Sequence, residues 1–253
     1  SKSGEIDVLG IKSLQRVSRL YQGSLAPKGS TITAVTPVLG RYSLLTANDQ
    51  GDIVQWGALI NANETRFVAL RSFDVEQSVA QLITEPRRKG FLSVANDGEL
   101  SLLYPTSGRL LDQRPSSLPA SAPMAISPRS NLLIAAPLDG LITAHSVDNK
   151  HPEISWSALW TEVWYEGYEE PIFSWQSSSA DNDFEPKFSL TPLAFGTMKA
   201  AFYALLFAVP IALMGAIYTA YFMAPAMRAL VKPGIEIMAA LPTVILGLSL
   251  IHI

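Results

Sequence analysis

Cysteine is absent from this chain, which excludes disulfides, thiolate metal sites and a cysteine nucleophile. Histidine is scarce: His145, His151 and His252 stand in no ligand spacing, so no zinc or haem site is expected. A basic surplus is lacking as well. The net charge is −3, and nothing supplies the positive field that a phosphate backbone demands, which sets nucleic acid aside as a partner. Charge itself then runs out along the chain. After Lys199 only Arg228, Lys232 and Glu236 carry it, and residues 200–227 carry none. No basic n-region followed by an apolar h-region is visible at the start. The chain begins at Ser1 and stops within an apolar run, so both ends are expected to be cuts through a longer protein.

What is present in the first half is a repeat. Ile32-Thr-Ala-Val-Thr-Pro37 with Ser43-Leu-Leu-Thr-Ala-Asn-Asp-Gln-Gly51 aligns with Val79-Ala-Gln-Leu-Ile-Thr-Glu-Pro86 and Phe91-Leu-Ser-Val-Ala-Asn-Asp-Gly98. A third unit follows at Met124-Ala-Ile-Ser-Pro128 and Leu132-Leu-Ile-Ala-Ala-Pro-Leu-Asp-Gly140. The glycines Gly51, Gly98 and Gly140 are 47 and 42 residues apart, a spacing typical of WD40-like blades. Each unit reads as a strand, a proline-containing turn, a buried strand, a tight turn and another strand. Asp97-Gly98 and Asp139-Gly140 are expected as two-residue hairpin turns, and Asp49, Asp97 and Asp139 as turn formers rather than a functional row. Fourth strands are expected at 66–70 and 109–111, and residues 6–25 as the remnant of a further blade. Residues 1–150 are therefore expected to form a partial all-β propeller, the alternative being an ordinary antiparallel β domain whose hairpins mimic a repeat.

Residues 151–192 change character. Trp156, Trp160, Trp164, Tyr165, Tyr168, Phe173 and Trp175 crowd into them. The four-residue spacing of Trp156, Trp160 and Trp164 predicts one side of a short helix. Such rings favour the headgroup layer of a membrane, so an aromatic interfacial linker is expected, with packing against the β domain as the other reading. Residues 193–253 open the membrane part, with a helix expected over 193–227, longer than the roughly 20 residues that cross a bilayer core. Pro210 should kink it. Small residues at Ala204, Ala208, Ala212, Ala216 and Ala220 recur every fourth position and suit close packing against neighbouring helices, although an Ala-rich single anchor would show them too. The stretch carrying Arg228 and Lys232 reads as a loop whose cations favour the cytoplasmic side, followed by a second apolar segment over 235–253.

Several of these strings resemble one family. They are Trp164-Tyr-Glu-Gly-Tyr168, Trp175-Gln-Ser-Ser-Ser179, Asp183-Phe-Glu-Pro-Lys-Phe-Ser-Leu190, Phe195-Gly-Thr-Met-Lys199 and Ile235-Glu-Ile-Met-Ala-Ala-Leu-Pro-Thr-Val-Ile-Leu-Gly247. Together they resemble the permease subunit of the bacterial phosphate-specific ABC importer, PstC type, in its long form with an extracytoplasmic domain. The last string is the most specific, with Glu236, Pro242, Thr243 and Gly247 at the positions of the family pattern. The resemblance covers roughly the last third of the chain by motif and the β half by arrangement only. The family's cytoplasmic coupling loop is absent, and residues 248–253 depart from its pattern.

The resemblance implies a fold of α-helical transmembrane segments of a type I ABC importer permease behind the β domain. It implies import of inorganic phosphate as the function, with Glu236, Pro242, Thr243 and Gly247 in a translocation or coupling region. The implied partners are a second permease subunit, cytoplasmic ATPase subunits, a periplasmic phosphate-binding protein and the lipid bilayer. ATP would be held by the ATPase subunits, leaving this chain without a cofactor. The implied location is the bacterial inner membrane, multi-pass, with the β domain in the periplasm. Read from the residues alone, Glu236 complements a helix dipole equally well, and Thr243 can bond back to its own helix. The competing function is a membrane-anchored propeller acting as a sensor or scaffold without transport. No Ser/His/Asp or paired-carboxylate arrangement can be placed, so no enzyme activity is expected.

Overall fold

The computed structural model describes residues 4–13, 16–27, 29–40, 43–60, 65–137, 140–180, 184–240 and 247–250. Two compact units emerge, Ser1–Leu193 and Ala194–Ile253. The first contains all the strands.

The repeat is realised as sheets. β1 (Glu5–Ser13) and β2 (Arg16–Ser24) form an antiparallel hairpin. Next come β3 (Ile32–Pro37), β4 (Ser43–Asn48), β5 (Asp52–Ile60) and β6 (Thr65–Asp74), a four-stranded meander. β7 (Val79–Thr84), β8 (Phe91–Ala95), β9 (Leu100–Tyr104) and β10 (Arg109–Arg114) repeat it. β11 (Met124–Ile126), β12 (Leu132–Ala135) and β13 (Thr143–Ser146) make a third sheet of three strands. The expected fourth strands at 66–70 and 109–111 are present and longer than expected.

Irregularities repeat with the strands. In β3 one extra residue, Thr33, interrupts the pairing with β4, and in β7 Ala80 does the same opposite β8. Leu70 in β6 and Leu111 in β10 are the matching extra residues of the outer strands. A bulge bends a strand and raises its twist, so recurrence at equivalent places gives successive sheets the same curvature. This identity of defect is a stronger mark of blade repetition than strand count.

The sheets pack face against face. Val38, Leu45, Ala47, Ile53 and Val75 of the first four-stranded sheet meet Val79, Phe91 and Leu103 of the second, with Phe73 edge-on to Phe91 at 5.7 Å. Leu92, Val94 and Leu102 on the opposite face of the second sheet meet Leu133 of the third. β8 is therefore covered on both sides, which is why all five of its residues are buried and no polar alternation appears. On the other face of the first sheet, Tyr21 of β2 lies against Phe67 at 5.7 Å, and Phe67 stacks on Trp56. The β1–β2 hairpin thus lays Tyr21 on that sheet.

The turn at Asp97-Gly98 is one residue longer than expected. Gly98 N–H bonds to Ala95 O and Ala95 N–H to Glu99 O, enclosing Asn96, Asp97 and Gly98, with Gly98 at φ 92°. This is the three-residue loop in which the last position is left-handed. Glycine is needed there twice over, because a Cβ would lie 2.7 Å from Ser116 O, on the connection to the next sheet. Gly51 repeats the arrangement at φ 100°, with a Cβ position 3.0 Å from Gln77 backbone. Gly140 shares the conformation at φ 84° but has open space around it, while Asp139 lies outside the described residues. Gly98→Ala is accordingly expected to lose about 1–2 kcal/mol from the left-handed conformation and more from the backbone collision, and Gly140→Ala only the former. Thermal denaturation of the two variants side by side checks this.

Residues 151–192 fold within the first unit. α1 (Trp156–Trp160) is a single turn, capped by Ser155, whose Oγ accepts from Ala158 N–H. It ends at Thr161, so Trp164 stands outside the helix the spacing predicts. Val163 and Ile172 then form an antiparallel bridge, and β14 (Trp175–Gln176) pairs with β15 (Lys187–Phe188).

α2 (Thr191–Ile217) continues through Pro210 and widens into a π-type turn at Tyr218–Phe222, where Thr219 Oγ1 donates to Gly215 O. No residue of this stretch is buried. Among the described residues it is the one helix long and apolar enough to cross a membrane. The expected loop at Arg228 and Lys232 is instead helical. Both lie in α3 (Pro225–Ala240), which starts on a proline whose fixed φ suits a first helical position. Arg228 Nη2 donates to Ala220 O at 2.7 Å, closing a carbonyl left over at the end of the preceding helix. The second apolar segment expected over 235–253 lies partly outside the described residues; its first part closes α3, which carries Arg228, Lys232 and Glu236 and is not a candidate span among the described residues.

Candidate functional site

The described charges that lose most contact with water converge where residues 151–190 meet the first two four-stranded sheets. Glu166 follows buried Tyr165 in the turn between Val163 and Ile172, and Glu185 precedes β15. β6 contributes Arg71, the β7–β8 loop Lys89, and the end of β9 Thr106. Each is held there by a local reason. The β7–β8 loop is closed by Glu85 N–H to Gly90 O at 2.8 Å, which turns Lys89 inward, and Glu185 is drawn in by the packing of its neighbour strand against β14.

The contacts form a closed set. Glu166 Oε1 accepts from Ser43 Oγ and, at 2.9 Å, from Gln55 Nε2, while its Oε2 takes Lys89 Nζ. Lys89 Nζ also lies 3.9 Å from Glu185 Oε2, and Thr106 Oγ1 donates to Glu185 Oε1. Arg71 spends its guanidinium on the carbonyls of Pro105 and Trp164. Beside this set a second one joins the third sheet: Glu85 accepts from Arg88 Nε at 2.9 Å and from Asn149 Nδ2 at 2.6 Å. Arg88 Nη1 returns to Asn149 O at 2.8 Å.

Burial decides the protonation here. Glu185 is 7% exposed, and removal from water pushes its carboxyl up to about 7, with Lys89 pulling down less strongly at 3.9 Å. Burial lowers the Arg71 guanidinium from its usual value, against the two carboxylates. Tyr165 is pushed up to about 12 by burial and by Glu185, and buried Tyr104 is raised in the same way. Lys187, partly buried, is lowered.

Chemically this is a clamp. Each carboxylate oxygen is engaged by the chain's own groups or by Lys89, and none faces an open site. A cleft of about 1300 Å³ opens alongside, between the second and third sheets, with Lys89, Tyr104, Arg88 and Asn149 in its wall. No group of three or more metal-ligating side chains exists among the described residues.

The residues expected from sequence stand elsewhere. Glu236 is exposed on α3, and Gly247 lies in a helical stretch with nothing near it. Pro242 and Thr243 lie outside the described residues, as does His252. Ala204, Ala208, Ala212 and Ala216 are exposed along α2, and Ala220 falls in the π-type turn, where the four-residue spacing breaks. The clamp residues Glu166, Glu185, Lys89, Arg71 and Thr106 were missed by sequence reasoning. A signal for two of them existed: Glu166 and Glu185 sit inside two of the aromatic strings that carry the family resemblance.

No family model and no curated protein matches this chain. Among solved structures, its sheets are similar to Sqt1 from Chaetomium thermophilum, at 15% identity over 52% of this chain and 33% of that one, with a TM-score of 0.42. They are also similar to a chain of the mitotic checkpoint complex, at 12% identity over 59% and 45%, TM-score 0.43. A third is the RRP9 WD40 repeats, at 13% identity over 49% and 37%, TM-score 0.38. The chain spans less than half the length of each. Likeness at this level concerns the stacking of sheets and adds nothing about activity.

Proposed function

We propose that this chain is a membrane-anchored β-propeller module, and that its anchor is the first core helix of a permease for inorganic phosphate. The observation that carries the anchoring is the helical stretch Thr191–Phe222, 32 residues with no buried side chain. In water such a surface would far exceed the apolar patch of a few hundred Å² that monomers tolerate, whereas lipid accepts it. The β unit is then a binding or scaffold surface on the periplasmic side. Support for the permease comes from the strings ending at Gly247. In that reading phosphate arrives on a periplasmic binding protein and passes between two permease subunits, with ATP hydrolysed by separate subunits.

The second reading keeps the anchor and drops transport, leaving a sensor or scaffold. It is favoured by the count of one crossing helix among the described residues. Disruption of the gene followed by uptake of radiolabelled phosphate separates the two. Loss of high-affinity uptake is expected. Unchanged uptake, with the chain still in carbonate-washed membranes, would leave the scaffold; release by carbonate would remove both.

A further inference from the structure

We infer that Trp156, Trp160, Phe173 and Trp175 form an aromatic collar that seats the β unit in the headgroup layer of a zwitterionic lipid bilayer at the foot of α2. The inference rests on the anchored reading above and names the surface that meets the lipid. Residues 151–192 divide their aromatic rings between two environments. Tyr165 is 3% exposed and faces the protein, while Tyr168 is 39% exposed and its carbonyl accepts from Trp164 Nε1 at 2.8 Å. Trp156 is 80% exposed, Trp160 42%, Phe173 40% and Trp175 44%, which a soluble surface has no reason to gather.

Hydrogen bonds tie the backbone that bears those rings to the residues at 189–191. Ser189 N–H bonds to Ser174 O at 3.0 Å, between Phe173 and Trp175. Leu190 N–H bonds to Leu159 O at 2.8 Å, and Thr191 Oγ1 to Trp160 O at 3.2 Å. Ser189 and Leu190, just before α2, and Thr191, its first residue, are thus tied to the backbone that bears the exposed rings. α1 itself carries no charge, and its two Trp rings lie 6.2 Å apart.

Depth agrees with this placement. No charge falls between Thr191 and Phe195, and Lys199 Nζ lies over the Tyr203 ring at 5.9 Å. From Thr191 to Phe195 is about 6 Å along a helix, which matches the thickness of one headgroup layer. Indole and phenyl rings are favoured at that level. The exposed acids nearest in sequence, Glu162, Glu169 and Glu170, speak for neutral phosphatidylcholine over an anionic surface.

The cysteine-free chain permits single fluorescent labels at Ser157→Cys on α1, Leu206→Cys within α2 and Lys150→Cys as an aqueous reference. The full chain is reconstituted in phosphatidylcholine vesicles bearing nitroxides at headgroup or mid-acyl depth. The expected result is headgroup quenching at position 157 about threefold above that at 150, with position 206 quenched from mid-acyl depth. Replacing both Trp156 and Trp160 by Ala should at least halve the quenching at 157 and leave 206 unmoved. Aqueous behaviour at 157 with 206 deep overturns the collar and leaves the anchor standing, as does indifference to the double substitution. If 206 is not in lipid, the anchored reading falls and the collar with it.

Discussion

At pH 8, above the Glu185 titration, Lys89→Met is expected to destabilise the β unit by about 3–5 kcal/mol, because it strips the cation from two buried carboxylates at once. Glu166 would keep Ser43 and Gln55 on one oxygen but lose the partner of the other, and Glu185 would retain only Thr106. An exposed ion pair removed in the same way costs at most about 1 kcal/mol. Urea unfolding in detergent, followed by tryptophan fluorescence, distinguishes the two ranges. Adding Glu166→Gln to Lys89→Met should recover part of the loss, since it removes one of the orphaned charges. A loss below about 1 kcal/mol from Lys89→Met alone would show the clamp to be open to water in solution.

The second large effect is a pH dependence of unusual sign for a carboxylate. The folded chain holds the Glu185 proton up to about pH 7, whereas the ordinary value for the unfolded chain is 4.5. Between those values the folded state binds more protons, so stability falls as pH rises and levels off above about 7. The full span corresponds to about 3 kcal/mol. Glu185→Gln should flatten that part of the profile and leave the variant more stable than the parent at pH 8. Unfolding midpoints at pH 5, 6, 7 and 8 for both proteins test it; parallel profiles would mean that Glu185 is not the titrating group.

The sheets were legible in sequence because their signals are local. Glycine at Gly51 and Gly98 marks a hairpin within ten residues on either side, and the β-rich strings between them admit little else. The extra residues Thr33, Ala80, Leu70 and Leu111 left no such signal, since a bulge is defined by the partner strand. The stretch at Arg228 and Lys232, expected as a loop, holds Pro225, Pro233 and Gly234 and is helical. Pro225 starts that helix, which its missing N–H permits, and Pro233 is accommodated inside it. The clamp was hidden for a different reason: Glu166 meets Ser43 across 123 residues, and no periodicity reports a contact made at that distance. Its only trace was the aromatic string around it.

The clamp also has a mechanical meaning. Its contacts on the β side come from Ser43, Gln55 and Arg71 in the first four-stranded sheet and from Lys89 and Thr106 at the second. A pull on residues 151–190 is therefore divided between two sheets loaded in parallel, as a bolt through two plates divides shear. Further ties of the same segment, Ser107 Oγ to Pro152 O at 2.8 Å and Arg109 Nη1 to Ile154 O at 2.6 Å, share that load along the second sheet.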